Sequence, residues 1–244
     1  MSSGQGVLYS VYERRLRREI DEENLPRHIG VILDGHRRYA REEGLPDYTA
    51  SYRRGMRRFE EFIDWAQDPR IPAITAWVLS PQNLARPSEE LDPYYDVLIE
   101  LFGRLADVAR THDLRVRPIG RLELLPDHLV AAAKGLEDVN PDGEATLNIA
   151  LGYGGREEIV DAAQRLVADL AAEGVAPSEM AGHVTDESLG AHMYSPDVPD
   201  ADLIIRTSGE SRMSGFLMWQ SAYSEFAFVD VFWPQFRRVD YLRT

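Results

Sequence analysis

The run His28-Ile-Gly-Val-Ile-Leu33, followed at once by Asp34-Gly35 and then by His36-Arg-Arg-Tyr-Ala40, is the passage from which the fold can be read. A short, almost unbroken apolar run bounded by a turn pair predicts a strand buried on both faces, because a half-exposed strand would alternate apolar with polar residues. The chain then leaves that strand through a tight turn, and a helix is expected to begin near Arg37. A buried strand feeding a helix is the building unit of a parallel sheet, whose neighbouring strands need crossover connections.

The same unit recurs outward from this point. Gly55 to Gln67 sets Met56, Phe59, Phe62, Ile63 and Ala66 at helical spacing, and Ile74-Thr-Ala-Trp-Val-Leu79 is a β-rich run entering Ser80-Pro81. Tyr94 to Ala109 predicts a long helix, Leu114 to Ile119 a strand, Pro126 to Leu136 a helix, and Thr146 to Leu151 a strand that meets Gly152-Tyr-Gly-Gly155. Glu157 to Ala172 resumes the helical period, Ala201 to Arg206 makes another strand, and Ser221 to Phe232 is a last apolar segment before Trp233-Pro234. This alternation predicts one α/β domain over residues 25–244, with a central parallel β-sheet flanked by helices. Residues 1–24 are read as a polar arm, mobile or docking, with a short amphipathic helix over Val11 to Ile20.

Composition narrows the function. With 244 residues, 44% of them hydrophobic, the chain can bury a sizeable core. The formal net charge of -14 argues against nucleic acid or an anionic membrane as a general partner, since both require a basic face. The absence of cysteine excludes disulfides and thiolate metal sites. No apolar run approaches a spanning helix and no signal peptide is evident, so a soluble, cytoplasmic protein without stable membrane insertion is expected. Against the acidic background stand local arginines: Arg37-Arg38, Arg53-Arg54, Arg57-Arg58, Arg206 and Arg212, which could form one anion site or, over 53–58, be ordinary solvated pairs.

Four of the expected strand ends carry polar groups: Asp34-Gly-His-Arg-Arg38, Ser80-Pro-Gln-Asn-Leu-Ala-Arg86, Gly152-Tyr-Gly-Gly-Arg156 and Arg206-Thr-Ser-Gly-Glu-Ser-Arg-Met-Ser214. Taken singly, Asp-Gly is a turn and Gly-Tyr-Gly-Gly a tight connection. In a parallel sheet, however, the carboxyl ends of the strands share one edge, where ligands sit. A carboxylate, several guanidinium groups, hydroxyls and glycine-rich helix starts gathered there are what a magnesium diphosphate requires.

These passages resemble a known family. Asp34-Gly-His-Arg-Arg-Tyr-Ala40 is similar to the Asp-Gly-Asn-x-Arg-Trp-Ala signature of the cis-prenyltransferases (undecaprenyl diphosphate synthase-like), Ser80-Pro-Gln-Asn-Leu-Ala-Arg-Pro87 to their Ser-x-Glu-Asn-Trp-x-Arg-Pro, and Tyr153-Gly-Gly-Arg156 to their Tyr-Gly-Gly-Arg. Asp202 to Gln220, with Tyr223, Glu225 and Trp233-Pro234, follows the family's C-terminal signature almost position by position, and the resemblance spans roughly residues 25–238. It implies a homodimeric, magnesium-dependent enzyme acting on isoprenoid diphosphates. In that reading Asp34 holds Mg2+ on the allylic diphosphate, with Glu225 as a further carboxylate near the metal. Gly35, Arg37 and Arg38 contact that diphosphate, Arg206, Arg212 and Ser214 hold the second one, and Asn83 and Arg86 belong to the catalytic set.

The departures bear on the product. His36 stands where the family has asparagine, and an imidazole, unlike an amide, can accept a proton near neutral pH. Gln82 and Leu84 replace Glu and Trp around Asn83, and Asp47 and Tyr52 fall near the family's arginine and histidine, so that Asp47 is expected to weaken the allylic diphosphate site. The second diphosphate site is unaltered. This asymmetry predicts head-to-middle coupling of dimethylallyl diphosphate with a second allylic diphosphate, dimethylallyl or geranyl, as in the bacterial lavandulyl and cyclolavandulyl diphosphate synthases, with His36 as the base. The alternatives are a regular short-chain synthase using isopentenyl diphosphate and a non-catalytic subunit of a heterodimer. Trp77, Phe59, Phe62, Tyr94, Tyr95 and Phe102 either fill a product tunnel or are plain core. The family's C-terminal Arg-x-Gly element does not occur before Thr244, so either the tail continues or this branch does without it.

Overall fold

A computed structural model describes residues 3–244, with side chains from residue 9 onward. In chain order the elements are α1 (Ser3–Glu19), β1 (His28–Ile32), α2 (His36–Glu42), α3 (Thr49–Ala66), β2 (Ala73–Leu79), α4 (Ser88–Thr111), β3 (Leu114–Ile119), α5 (Asp127–Lys134), β4 (Ala145–Leu151), α6 (Gly155–Ala172), α7 (Asp186–Gly190), β5 (Leu203–Thr207), β6 (Glu225–Val229) and α8 (Arg238–Tyr241). The strands form one sheet in the order β3-β4-β2-β1-β5-β6. Every pairing is parallel, from His28 beside Ala73 at one side of β1 to Ile29 beside Leu203 at the other. The expected central parallel sheet flanked by helices is therefore what the chain builds.

Strand pleating sorts the side chains onto two unequal faces. Ile29, Val31, Ile74, Ala76, Leu147 and Ile149 point toward α3 and α4, where Met56, Phe59, Phe62, Leu98, Leu101 and Phe102 complete the main core. Ile32, Ile119, Ala150 and Ile204 face the other way and meet Tyr153, Phe216 and Leu217 in a smaller cluster. Phe59, Phe62, Tyr95 and Phe102 thus belong to the main core, as the plain-core reading had it. The arm is not loose: Glu13 pairs with Arg238 at 3.1 Å, and Arg17 pairs with Asp68. No helix among the described residues is long and apolar enough to cross a membrane.

What this topology does for function is local to β1. From β1 the chain runs to β2 on one side, and from its neighbour β5 to β6 on the other, so the connections part between the carboxyl ends of β1 and β5. Ligands of open α/β sheets bind in the crevice opened there.

Candidate active site

Asp34 stands at that crevice, and the loop around it is fixed by backbone geometry. Gly35 has φ of +105° and a Cβ there would come within 2.7 Å of Phe232, so the turn needs glycine. The Gly35 N–H donates to Asp34 Oδ1 at 2.6 Å. Thr207, at the end of β5, accepts the Asp34 N–H at 3.1 Å and donates to the Asp34 carbonyl at 2.8 Å. β1 and β5 are thereby held together at their ends, which brings Arg206 Nη2 within 2.8 Å of Asp34 Oδ2.

A cavity of about 610 Å³ opens over these residues and is also lined by His36, Arg37, Arg38, Arg41, Tyr52, Trp77, Tyr94, Ser80, Asn83, Arg86, Glu210, Arg212 and Ser214. Its guanidinium groups arrive from four places. Arg38 donates to Ser208 Oγ at 2.6 Å and to Glu210 at 3.1 Å. Arg206 donates to Ser214 Oγ at 2.8 Å and to the Arg212 carbonyl, while Arg212 pairs with Glu210 at 2.6 Å. Arg86 meets Glu90 at 3.1 Å, and Arg37 lies 3.7 Å from the same carboxylate. Arg206 is buried, and its Nε has no protein partner.

Burial alone would raise the Asp34 pKa, but the Arg206 hydrogen bond and charge, with Arg38 and the Gly35 N–H, outweigh it and hold the carboxyl below its usual range. Asp34 is therefore ionised at neutral pH. No group of three or more His, Asp or Glu side chains converges to hold a metal ion among the described residues. A single hard carboxylate among guanidinium groups nonetheless suits Mg2+, which keeps waters and takes its other ligands from phosphate oxygens.

His36, at the start of α2, is buried. Its Nδ1 lies 3.4 Å from the Ser51 carbonyl, an acceptor that puts the ring proton on Nδ1, and Nε2 has no partner. Desolvation pushes its pKa down to about 4 despite the nearby Asp34 charge, so the imidazole is neutral, with the lone pair on Nε2. The ring sits 5.5 Å from Tyr52, whose ring is 4.5 Å from Tyr94. Tyr52 donates to Glu90 at 3.0 Å and Tyr94 to the Val78 carbonyl at 2.8 Å. These tethered rings wall the apolar side of the cavity.

Several expectations are corrected. Asp47 does not line the cavity: it is exposed, and its Oδ1 accepts the Thr49 N–H at 2.8 Å at the start of α3. Glu225 is not brought to Asp34 within one chain. It opens β6 beside Leu203, at the amino edge of a parallel sheet whose site lies beyond the carboxyl edge, and it is exposed. The arginines at 53–58 follow the ordinary-pair alternative rather than the anion site: Arg53 pairs with Glu100 at 2.7 Å, Arg58 pairs with Glu61, and none lines the cavity. Asn83 does line it, but its Oδ1 accepts the Ser80 N–H at 3.2 Å and so also shapes the loop.

Glu90, Glu210, Thr207 and Ser208 were given no role by sequence reasoning. The last three stood inside a quoted motif; Glu90 was readable as the i+4 partner of Arg86 at the entry to α4.

Fold and site together define a prenyltransferase of the cis-prenyltransferase class. The profile of the family described as "Putative undecaprenyl diphosphate synthase" matches residues 32–244, and the chain belongs to this family. It is 47% identical over 239 residues to an isoprenyl transferase of Thermus thermophilus, covering 97% of this chain and 90% of that one. It is 44% identical over 237 residues to a (2Z,6E)-farnesyl diphosphate synthase of Thermobifida fusca, covering 97% and 92%. Among solved structures it resembles lavandulyl diphosphate synthase from Lavandula x intermedia in complex with dimethylallyl diphosphate, with a TM-score of 0.83 and 28% identity over 91% of this chain and 94% of that one. A probable undecaprenyl diphosphate synthase from Campylobacter jejuni shares the fold, with a TM-score of 0.72 and 23% identity over 90% and 93%.

Proposed function

We propose that this prenyltransferase joins two small allylic diphosphates head to middle, giving a lavandulyl-type diphosphate, and that His36 removes the final proton. The observation carrying this reading is the buried, neutral His36 in the cavity lining beside Asp34, whose Nε2 has no protein partner. Asp34 would hold Mg2+, which supplies charge neutralisation to the departing diphosphate. Gly35, Arg37 and Arg38 contact that allylic diphosphate, and Arg206, Arg212 and Ser214 hold the second one. The C–O bond of dimethylallyl diphosphate breaks, its electron pair leaving with the diphosphate. The double bond of the second allylic molecule then forms the new C–C bond with the freed carbon. The resulting tertiary cation loses a proton from an adjacent carbon to His36 Nε2, closing a new double bond.

A pKa near 4 is no obstacle to that role. The proton next to a carbocation is so acidic that an unpartnered lone pair, rather than a strong base, is what is needed. The tethered rings of Tyr52 and Tyr94 support a short product by bounding the apolar side of the cavity.

A homodimer is part of the proposal. β6 is an edge strand carrying Phe226 and Phe228, 39% and 43% exposed, next to Tyr223 at 94%, an apolar stripe that a second copy would cover. The non-catalytic alternative is disfavoured by the convergence of Asp34, Arg38, Arg206 and Arg212 in one cavity.

Regular elongation is the second reading, favoured by the 44% identity to a protein named (2Z,6E)-farnesyl diphosphate synthase. Incubation with Mg2+ and dimethylallyl diphosphate, with and without isopentenyl diphosphate, followed by dephosphorylation and mass spectrometry, separates the two. A branched or cyclic ten-carbon alcohol from the allylic substrate alone supports head-to-middle coupling. A linear product that requires isopentenyl diphosphate rejects it in favour of elongation, and an inert isolated chain supports the subunit reading.

A further inference from the structure

Six guanidinium groups line the cavity, Arg37, Arg38, Arg41, Arg86, Arg206 and Arg212, against the carboxylates of Asp34 and Glu210. Five of the six are already engaged with acidic side chains. Arg206 and Arg38 pair with Asp34, Arg38 and Arg212 with Glu210, and Arg37 and Arg86 with Glu90. A diphosphate entering among these five meets guanidinium groups whose charge is already shared with a carboxylate, which offsets part of the energy gained in each new contact.

Arg41 is different. It is exposed, it lines the same cavity, and among the described residues it has no ion-pair partner. Its position follows from helix geometry: in α2, residues 37, 38 and 41 fall at i, i+1 and i+4, which turns Arg41 to the side of the helix that carries the two other arginines. The nearby acidic residue that might have neutralised it does not. Asp47 makes no ion pair with Arg41, and its Oδ1 accepts the Thr49 N–H.

We infer that Arg41 is a substrate-binding residue, the uncompensated cation at the mouth of the cavity that receives the diphosphate of the allylic substrate. It binds without giving up a partner, so its full charge is available to the incoming anion. The surrounding protein is strongly acidic, with a formal net charge of -14, so an unpaired guanidinium at the entrance also gives the anion a local attraction that the molecule as a whole denies it. This inference rests on the cavity being a diphosphate site and is independent of whether coupling is head-to-middle or regular.

The test uses the intact protein and magnesium pyrophosphate as the probe, followed by titration calorimetry, alongside the KM for dimethylallyl diphosphate. Arg41→Gln is expected to weaken pyrophosphate binding by about tenfold, the low end for a charge-assisted contact because the site is open to water. KM should rise by a similar factor with kcat and product unchanged. The salt dependence of binding should flatten, and Arg41→Lys should recover part of the loss. Thermal unfolding should be unmoved, since the side chain is exposed, and Asp47→Asn should bind within twofold of the parent. Equal pyrophosphate affinity in the parent and Arg41→Gln proteins would overturn the role of Arg41. No pyrophosphate binding by the parent protein would overturn the diphosphate site itself.

Discussion

His36 shows how a single side chain is set by its surroundings. Its neutrality comes from burial, and its free lone pair from the Ser51 carbonyl that occupies the other ring nitrogen. Replacing it with asparagine, the residue in the family signature, keeps Asp34 and the arginines in place while removing the ring nitrogen proposed as the base. His36→Asn is therefore expected to leave magnesium pyrophosphate affinity within about twofold and to abolish the branched product, as read by mass spectrometry of the alcohols. An unchanged product at an unchanged rate would remove His36 from the mechanism.

At the level of the element, the imidazole depends on a glycine in the facing helix. A Cβ on Gly55 would lie 2.0 Å from His36 Cε1, so α3 carries its glycine where α2 must seat the ring. Gly55→Ala relieves the helix of an entropic cost of about 1 kcal/mol, yet it forces the buried ring to move. The expected outcome is the product change of His36→Asn together with a lowered Tm, measured by product analysis and thermal unfolding on the same preparation. The opposite end of the same helix carries the core: Phe62 is fully buried and packs 5.7 Å from Trp233. Phe62→Ala should cost about 3–5 kcal/mol in denaturant unfolding without altering which product forms.

For the whole molecule, two buried imidazoles link stability to pH. His28 and His36 are both pushed down to about 4, chiefly by desolvation, from a usual value near 6.5. Between those values the unfolded chain binds protons that the folded chain refuses. Their stabilisation is thus complete above pH 6.5 and is lost as pH falls toward 4, by on the order of 3 kcal/mol for each ring. Urea midpoints measured from pH 7 to pH 4.5 should fall accordingly, and a flat profile would show that the rings are not buried neutral. Association belongs to this scale too. Phe226→Asp with Phe228→Asp, on the exposed edge strand, should convert a dimer to monomers in sedimentation while leaving the monomer folded.

The alternation of buried strands with helices was legible because parallel strands are apolar on both faces and need crossovers, and each predicted strand lies within two residues of an observed one. The site was half legible. Asp34, the arginines and Ser214 follow turns at strand ends, so a parallel sheet had to bring them to one edge. What the sequence could not carry is any relation set by side-chain direction or by long-range packing. Glu225 stands at the wrong end of its strand for a site beyond the carboxyl edge, a fact of register. Asp47 turns to the Thr49 N–H at the start of α3, and among the described residues Arg41 is left without a carboxylate. The space for His36 is made by Gly55, in another helix. Sequence by itself determined the elements and the edge at which they deliver their polar groups, because hydrophobic period and turn chemistry are local. The pairing of those groups, and hence which are free to bind or to take a proton, was decided only by the packed chain, because charge and burial depend on neighbours that are distant in sequence.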